Sequence, residues 1–191
     1  MKFTQIAADT FRKLQLNAGV LLTTFDPTTG ELNRENIIGA TGGGVSFSAV
    51  PEFLDFGEDI DNVPANTMEL KRIDSFTVTM SGTYKSVDTT LAKALAAAAD
   101  VADGKVTPRN VLQLADFHDI WWVGDYSDTN TGENAGYIAI RLMNALSTGG
   151  FTIQSNDNGK GDFSFEYTGH YSISNVDLVP FEIYIKQGTA A

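Results

Sequence analysis

The stretch Phe163-Ser164-Phe165-Glu166-Tyr167-Thr168-Gly169-His170-Tyr171-Ser172-Ile173-Ser174 decides the fold class. Phe163, Phe165, Tyr167, Tyr171 and Ile173 alternate with Ser164, Glu166, Thr168, His170, Ser172 and Ser174, a period of two that marks a long strand. A second alternating run sets Val179, Phe181, Ile183 and Ile185 against Pro180, Glu182, Tyr184 and Lys186 after the polar turn Asn175 to Asp177. The two runs are expected to be neighbours in an antiparallel pair. The apolar face of such a sheet must pack on a second layer, and its polar face is free to line water.

The pattern repeats outward from that pair. Phe76, Val78 and Met80 alternate with Thr77, Thr79 and Ser81, and Gly82 and Tyr84 keep the register. Ile120 to Val123 and Tyr137 to Met143 form two apolar strands joined by a polar hairpin tip, Gly124 to Gly136. Phe151 and Ile153 begin a strand that turns at Asn156 to Gly161 into the long run. Phe11 to Phe25 reads as a strand, a tight turn at Asn17-Ala18-Gly19 and a return. Val45, Phe47 and Ala49, alternating with Ser46 and Ser48, open a short strand after Gly42-Gly43-Gly44.

One helix is predicted, from Asp88 to Val101, with Ser86 or Asp88 as N-cap and Asp103-Gly104 as stop signal. Leu91 and Leu95 share one face at i, i+4, and the Ala96 to Ala99 run lets that face approach a sheet closely. About eight strands and one helix, without repeat or linker, make residues 1–191 a single mainly β domain. The architecture is an antiparallel β-sandwich or saddle-shaped barrel with one flanking helix.

The chain has 191 residues, no cysteine and a formal charge of -11. Its length supports one core, and without cysteine it has neither disulfides nor thiolate zinc sites, which points to a reducing compartment. Met1 to Thr10 lacks the apolar core of a signal peptide and no run reaches membrane-span length, so a cytoplasmic origin is the simplest expectation. No basic block offsets the acids, and such a surface repels nucleic acid instead of gripping its phosphates.

Motifs for catalysis or cofactors are weak. Gly42-Gly43-Gly44 lacks the Lys-Ser/Thr of a P-loop, and Phe47 stands where a dinucleotide fingerprint needs glycine, so the cluster reads as a bulge or turn. Asp59-Ile60-Asp61-Asn62 starts like a calcium loop but Val63 and Pro64 break it. Asn156-Asp157-Asn158-Gly159 reads as a hairpin turn. His118 and His170 are the only histidines and neither belongs to a zinc motif. The expectation is no enzyme, no cofactor and no metal.

From Val50 to Arg72 the alternation fails. Pro51, Pro64, Glu52, Asp55, Glu58, Asp59 and Asp61 surround Phe53, Leu54 and Phe56, a long loop or extended hairpin of the kind that contacts partners.

Five strings carry a resemblance over most of the chain from Phe11 to Lys186: Ile37-Ile38-Gly39-Ala40-Thr41-Gly42-Gly43, Phe56-Gly57-Glu58-Asp59-Ile60-Asp61-Asn62, Leu70-Lys71-Arg72-Ile73-Asp74-Ser75, Asp119-Ile120-Trp121-Trp122-Val123-Gly124-Asp125-Tyr126 and Val179-Pro180-Phe181-Glu182-Ile183-Tyr184-Ile185. With the single helix and the acidic loop, they make the chain resemble the major tail proteins of long-tailed, non-contractile bacteriophages. The resemblance implies a tail-tube fold shared with contractile tail tubes and the type VI secretion tube. It also implies hexameric rings stacked into a tube around a tape-measure protein, with tail-completion and tail-tip partners. Such a tube belongs to the virion, is assembled in the host cytoplasm and conducts DNA without binding it.

On that resemblance the 50–72 loop is the ring-stacking contact, with Phe53, Leu54 and Phe56 as apolar anchors and Glu58, Asp59 and Asp61 giving specificity. Thr77, Thr79, Ser81, Ser164, Glu166, Thr168 and His170 are the candidates for the bore lining, or else the outer wet face of the sandwich. If each of six subunits gives four strands, a 24-strand barrel at about 4.8 Å spacing and roughly 40° tilt has a backbone diameter near 48 Å. Side chains reduce that to a bore of about 40 Å, wide enough for a duplex of about 20 Å. Two other classes are weighed against it: a carbohydrate-binding β-sandwich using Trp121, Trp122 or Tyr126 as a platform, and an enzyme with a carboxylate pair.

Overall fold

The computed structural model describes residues 3, 5–7, 9–127 and 135–188. Ten strands form among them: β1 (Gln15–Leu22), β2 (Thr41–Asp55), β3 (Lys71–Tyr84), β4 (Ala99–Ala102), β5 (Lys105–Pro108), β6 (His118–Tyr126), β7 (Gly136–Ser147), β8 (Thr152–Gln154), β9 (Asp162–Thr168) and β10 (Phe181–Lys186). The single α-helix among the described residues is α1 (Thr89–Leu95). The protein is mainly β, and eight of the strands belong to one large antiparallel sheet, with β4 and β5 forming a separate hairpin.

The large sheet folds over on itself along β7. One half runs β1-β6-β7-β10 and the other β2-β3-β9-β8. β7 reaches both because its first part pairs with β6 and β10, while Leu146 and Ser147 pair with β9. The bend falls at Asn144, whose φ of 47° lies in the left-handed region. A polar clasp holds it. Asp119 accepts the Asn144 N–H at 3.1 Å and two guanidinium bonds from Arg141 at 2.9 and 2.6 Å, and the Asn144 side chain donates to the His170 carbonyl at 2.9 Å.

The core lies between the halves. Leu21, Ile120 and Leu142 from one half meet Val78, Met80, Tyr84, Phe163, Phe165 and Tyr167 from the other. Leu91 and Leu95 of α1 close one side of this core, as their i, i+4 spacing predicts. A smaller cluster covers the opposite face of the first half, where Phe25 packs on Trp121 and Tyr137.

Several sequence expectations need correction. The Asn17-Ala18-Gly19 turn is a bulge inside one strand: β1 pairs with β6 on both sides of it, with Asn17 and Gly19 at positive φ. Likewise the triple glycine does not precede β2 but lies within it as a bulge against Tyr84 and Gly82.

The helix is shorter than Asp88 to Val101. Asp88 is the N-cap, its carboxylate accepting the Leu91 N–H at 2.7 Å, but the helix ends at Leu95 and Ala97 takes a φ of 63°. The expected stop signal Asp103-Gly104 is the turn of the β4–β5 hairpin, with φ of 51° and 75°, the geometry a two-residue hairpin demands. Arg109 holds this hairpin extended. Its N–H donates to the Ala98 carbonyl at 2.8 Å and its guanidinium reaches Asp100 and Asp116 at 2.9 and 2.7 Å.

The long run ends at Thr168, not Ser174. Gly169 still donates its N–H to the Val78 carbonyl at 2.9 Å, a Cβ there would lie 2.7 Å from Leu142 Cδ1, and at His170 the backbone N–H turns to the Met143 carbonyl at 3.3 Å. Tyr171 compensates by offering its hydroxyl to the Phe76 N–H at 2.9 Å. The second run, β10, pairs with β7 and not with β9, although the two alternating runs are neighbours in sequence.

Candidate functional site

Two surfaces gather the sequence-selected residues. The first is the outer face of the half-sheet β2-β3-β9-β8. Register places Ser46, Ser48 and Glu52 of β2 opposite Ser81, Thr79 and Ser75 of β3, and Thr79, Ser81 and Thr83 opposite Thr168, Glu166 and Ser164 of β9. Thr152 and Gln154 of β8 continue the row against Ser164 and Asp162. Because directly opposite residues share a face, Thr77, Thr79, Ser81, Ser164, Glu166 and Thr168 lie together on one surface, back to back with buried Val78, Met80, Phe165 and Tyr167.

This face is made mainly of hydroxyls and carboxylates, with one exposed apolar residue, Val50, opposite Thr77. Glu52 accepts from the Thr77 hydroxyl at 2.8 Å, and Thr148 links Glu166 and Thr168 at 3.2 and 2.8 Å. Asp162 is paired with Lys85, which leaves Glu52 and Glu166 as the face's carboxylates outside an ion pair among the described residues. His170 does not belong to it. The residue is half-buried at the β7 bend, its N–H donating to the Met143 carbonyl at 3.3 Å and its ring lying edge-on to Phe117. Strand alternation does not reach His170 because β9 stops two residues earlier, at Thr168.

The second surface is the arm formed by the far ends of β2 and β3. The two strands stay paired through Asp55 and Lys71, so the 50–72 segment is an extended hairpin whose tip spans 56–70. Its last strand pairs project beyond the core, and Phe53, Leu54 and Phe56 are 53%, 45% and 62% exposed. Ile60, Met68 and Ile73, which sequence reasoning did not single out, are exposed beside them. A register shift between Glu52 and Phe53 turns Phe53 and Ile73 onto one face and Leu54 and Arg72 onto the other.

The tip is ordered by Asp55. Its carboxylate accepts the Gly57 N–H at 2.9 Å and the Asn66 N–H at 2.7 Å, and Lys71 donates to the Asn66 side chain at 2.9 Å. The two backbone bonds, aided by the Lys71 charge, hold the Asp55 carboxyl below its ordinary pKa. Lys71 also lies over the Phe53 ring, 5.1 Å from its centre. Glu58, Asp59 and Asp61 are exposed around the tip.

The remaining candidates have structural surroundings. Trp121 is buried between Phe25 and Tyr184 with the Arg141 guanidinium over its ring, and Tyr126 is buried. Trp122 is half-buried and donates to the Ala18 carbonyl at 3.0 Å. Asn156-Asp157-Asn158-Gly159 forms the turn between β8 and β9, as expected. The Gly124 to Gly136 tip falls largely outside the described residues. Among the described residues no three His, Asp or Glu side chains gather in a metal-holding group, and no helix is long and apolar enough to cross a membrane.

No protein-family model matches the sequence, and no curated protein matches it either.

Proposed function

We propose that this chain is the protomer of a phage-type tail tube, a structural virion protein that assembles into stacked hexameric rings with the β2-β3-β9-β8 face turned to the bore. The observation that carries the reading is the gathering of Thr77, Thr79, Ser81, Ser164, Glu166 and Thr168 on one four-stranded face, beside an arm that exposes Phe53, Leu54 and Phe56. Four strands per subunit is the number at which six copies enclose a bore of about 40 Å. The arm supplies what a ring needs to hold the next ring: apolar anchors within a charged rim.

The charge fits the same role. Six copies at -11 give -66 per ring, and a bore lined by hydroxyls with unpaired Glu52 and Glu166 offers phosphates nothing to bind. The tube would be built around a tape-measure protein and closed by completion and tip proteins, within the host cytoplasm and then the virion. It would act without cofactor or catalysis. The test is negative-stain electron microscopy over a concentration series: hollow rings or tubes support the reading, and solid particles or non-hollow aggregates at every concentration oppose it.

A further inference from the structure

β10 is an unguarded edge. It pairs with β7 in an unbroken register from Phe181↔Leu142 to Lys186↔Tyr137, and among the described residues no strand lies on its other side. The Pro180 carbonyl accepts the Met143 N–H at 2.9 Å. In an antiparallel ladder every second residue exchanges both bonds with its partner, so Glu182, Tyr184 and Lys186 follow Pro180 in bonding to β7. The N–H and C=O groups of Ile183 and Ile185 therefore point out of the open edge.

The other sheet borders are less regular than this one. β1 is bulged at Asn17 to Gly19, β8 has only three residues, and β2 carries the glycine bulge and Pro51, which has no N–H to donate. β10 has neither bulge nor internal proline. Its side chains match this openness: Ile183 and Ile185 are 52% and 60% exposed.

Those isoleucines continue the core face of their half-sheet. Phe181, two residues earlier, packs on Phe47 and Phe76 with ring centres 5.7 and 5.9 Å apart. On the facing half-sheet the Pro51–Phe76 pair is followed by exposed Phe53 and Ile73 on the same core-side face. The two layers part at this point with apolar side chains on both sides of the opening.

We infer that a second copy of this chain docks here, adding a strand to β10 and covering Ile183, Ile185, Phe53 and Ile73. Half-exposed side chains of this size offer about 100 Å² each, so the four supply about 400 Å², half of the roughly 800 Å² a stable partner buries. The missing area lies on the adjoining arm, at Leu54, Phe56, Ile60 and Met68. A partner that engages edge and arm together has to be as large as a folded domain, and a copy of this chain in the adjacent ring is that partner. Only this choice of partner rests on the tube reading. Since each copy carries -11, the association should strengthen with salt, as apolar and backbone contact gains when like charges are screened.

The experiment compares wild type, Ile183→Val and Ile183→Pro. Proline deletes an outward N–H without touching the β7 ladder, whereas valine keeps it. Sedimentation velocity over a concentration series reads association, circular dichroism confirms folding, and amide exchange of Ile183 and Ile185 is compared between dilute and associated wild type. The expected result is association of wild type and Ile183→Val, Ile183→Pro remaining at the monomer mass of 20.6 kDa, and at least tenfold slower exchange of both amides on association. Should Ile183→Pro misfold, the exchange measurement decides alone. Unchanged exchange, assembly of a folded Ile183→Pro at wild-type concentrations, or a wild type that stays monomeric throughout overturns the inference. Compact dimers blocked by proline would uphold the edge and remove the tube reading; tubes formed equally by Ile183→Pro would do the reverse.

Discussion

Replacing Phe53, Leu54 and Phe56 together by serine should separate assembly from folding. The three side chains are 53%, 45% and 62% exposed, so roughly 300 Å² of apolar surface is free to enter a contact. At about 25 cal/mol per Å² this is at most about 7.5 kcal/mol per contact, and the cost of ordering side chains reduces the usable part to about half. A loss of about 4 kcal/mol raises the concentration needed for assembly by roughly a thousandfold. The isolated fold loses less, because these residues lie outside the core and Phe53 forfeits mainly its contact with Lys71, worth about 0.5–1 kcal/mol. With residual packing included, about 2 kcal/mol corresponds to a melting shift of roughly 4–8 °C. Thermal melting and sedimentation velocity on the same preparations read both quantities. A triple variant that assembles within threefold of the wild-type concentration refutes the role of the arm.

Acidification should loosen the arm before the core: the Asp55 carboxyl is held low in the folded state, so its contribution is present above the ordinary carboxylate range and lost as pH falls through the depressed value. Amide exchange at Gly57 and Asn66, relative to its intrinsic rate, should rise below about pH 4, and Asp55→Ala should show that rise already at pH 7. In the core, burial raises the Tyr84 phenol and pushes Tyr167 up to about 12, so stability holds below the ordinary tyrosine pKa of about 10 and falls as pH climbs above it. Ultraviolet titration should show these two phenols ionising only with unfolding. Neither hydroxyl has a well-formed hydrogen bond, so Tyr84→Phe with Tyr167→Phe should leave the melting temperature unchanged or higher. Finally, Thr79→Lys with Glu166→Lys should make assembled protein retain duplex DNA at low salt and release it at high salt, an effect absent from wild type.

Much of this architecture is visible in the residues themselves, because alternation is a local signal. The faces of β3 and β9 follow from Phe76 to Met80 and Phe163 to Thr168, and the residues expected to share a wet surface do share one, His170 excepted. What the alternation lacks is any statement of partner or end point. β10 looks like the natural neighbour of β9 in sequence, yet β7 takes it, since pairing is fixed by the fold as a whole. The strand's end is set by a change of partner across the chain, from the Val78 carbonyl at Gly169 to the Met143 carbonyl at His170. Helix length failed for a related reason: alanine is content in the Ala96 to Ala99 segment either way, and Arg109 decides it. Ser46 and Ser48 could have been added to the wet face from their alternation with Val45, Phe47 and Ala49. Ile60, Met68 and Ile73 on the arm gave no periodic signal at all.

The tube assignment is tested most directly by a cryo-electron microscopy map of the assembled protein at a resolution that traces strands. The expected map shows hexameric rings with a bore of about 40 Å, Thr79, Ser81 and Glu166 facing the bore and Phe53, Leu54 and Phe56 seated against the adjacent ring. A map that turns the β2-β3-β9-β8 face outward, or that shows an assembly without a bore, contradicts it.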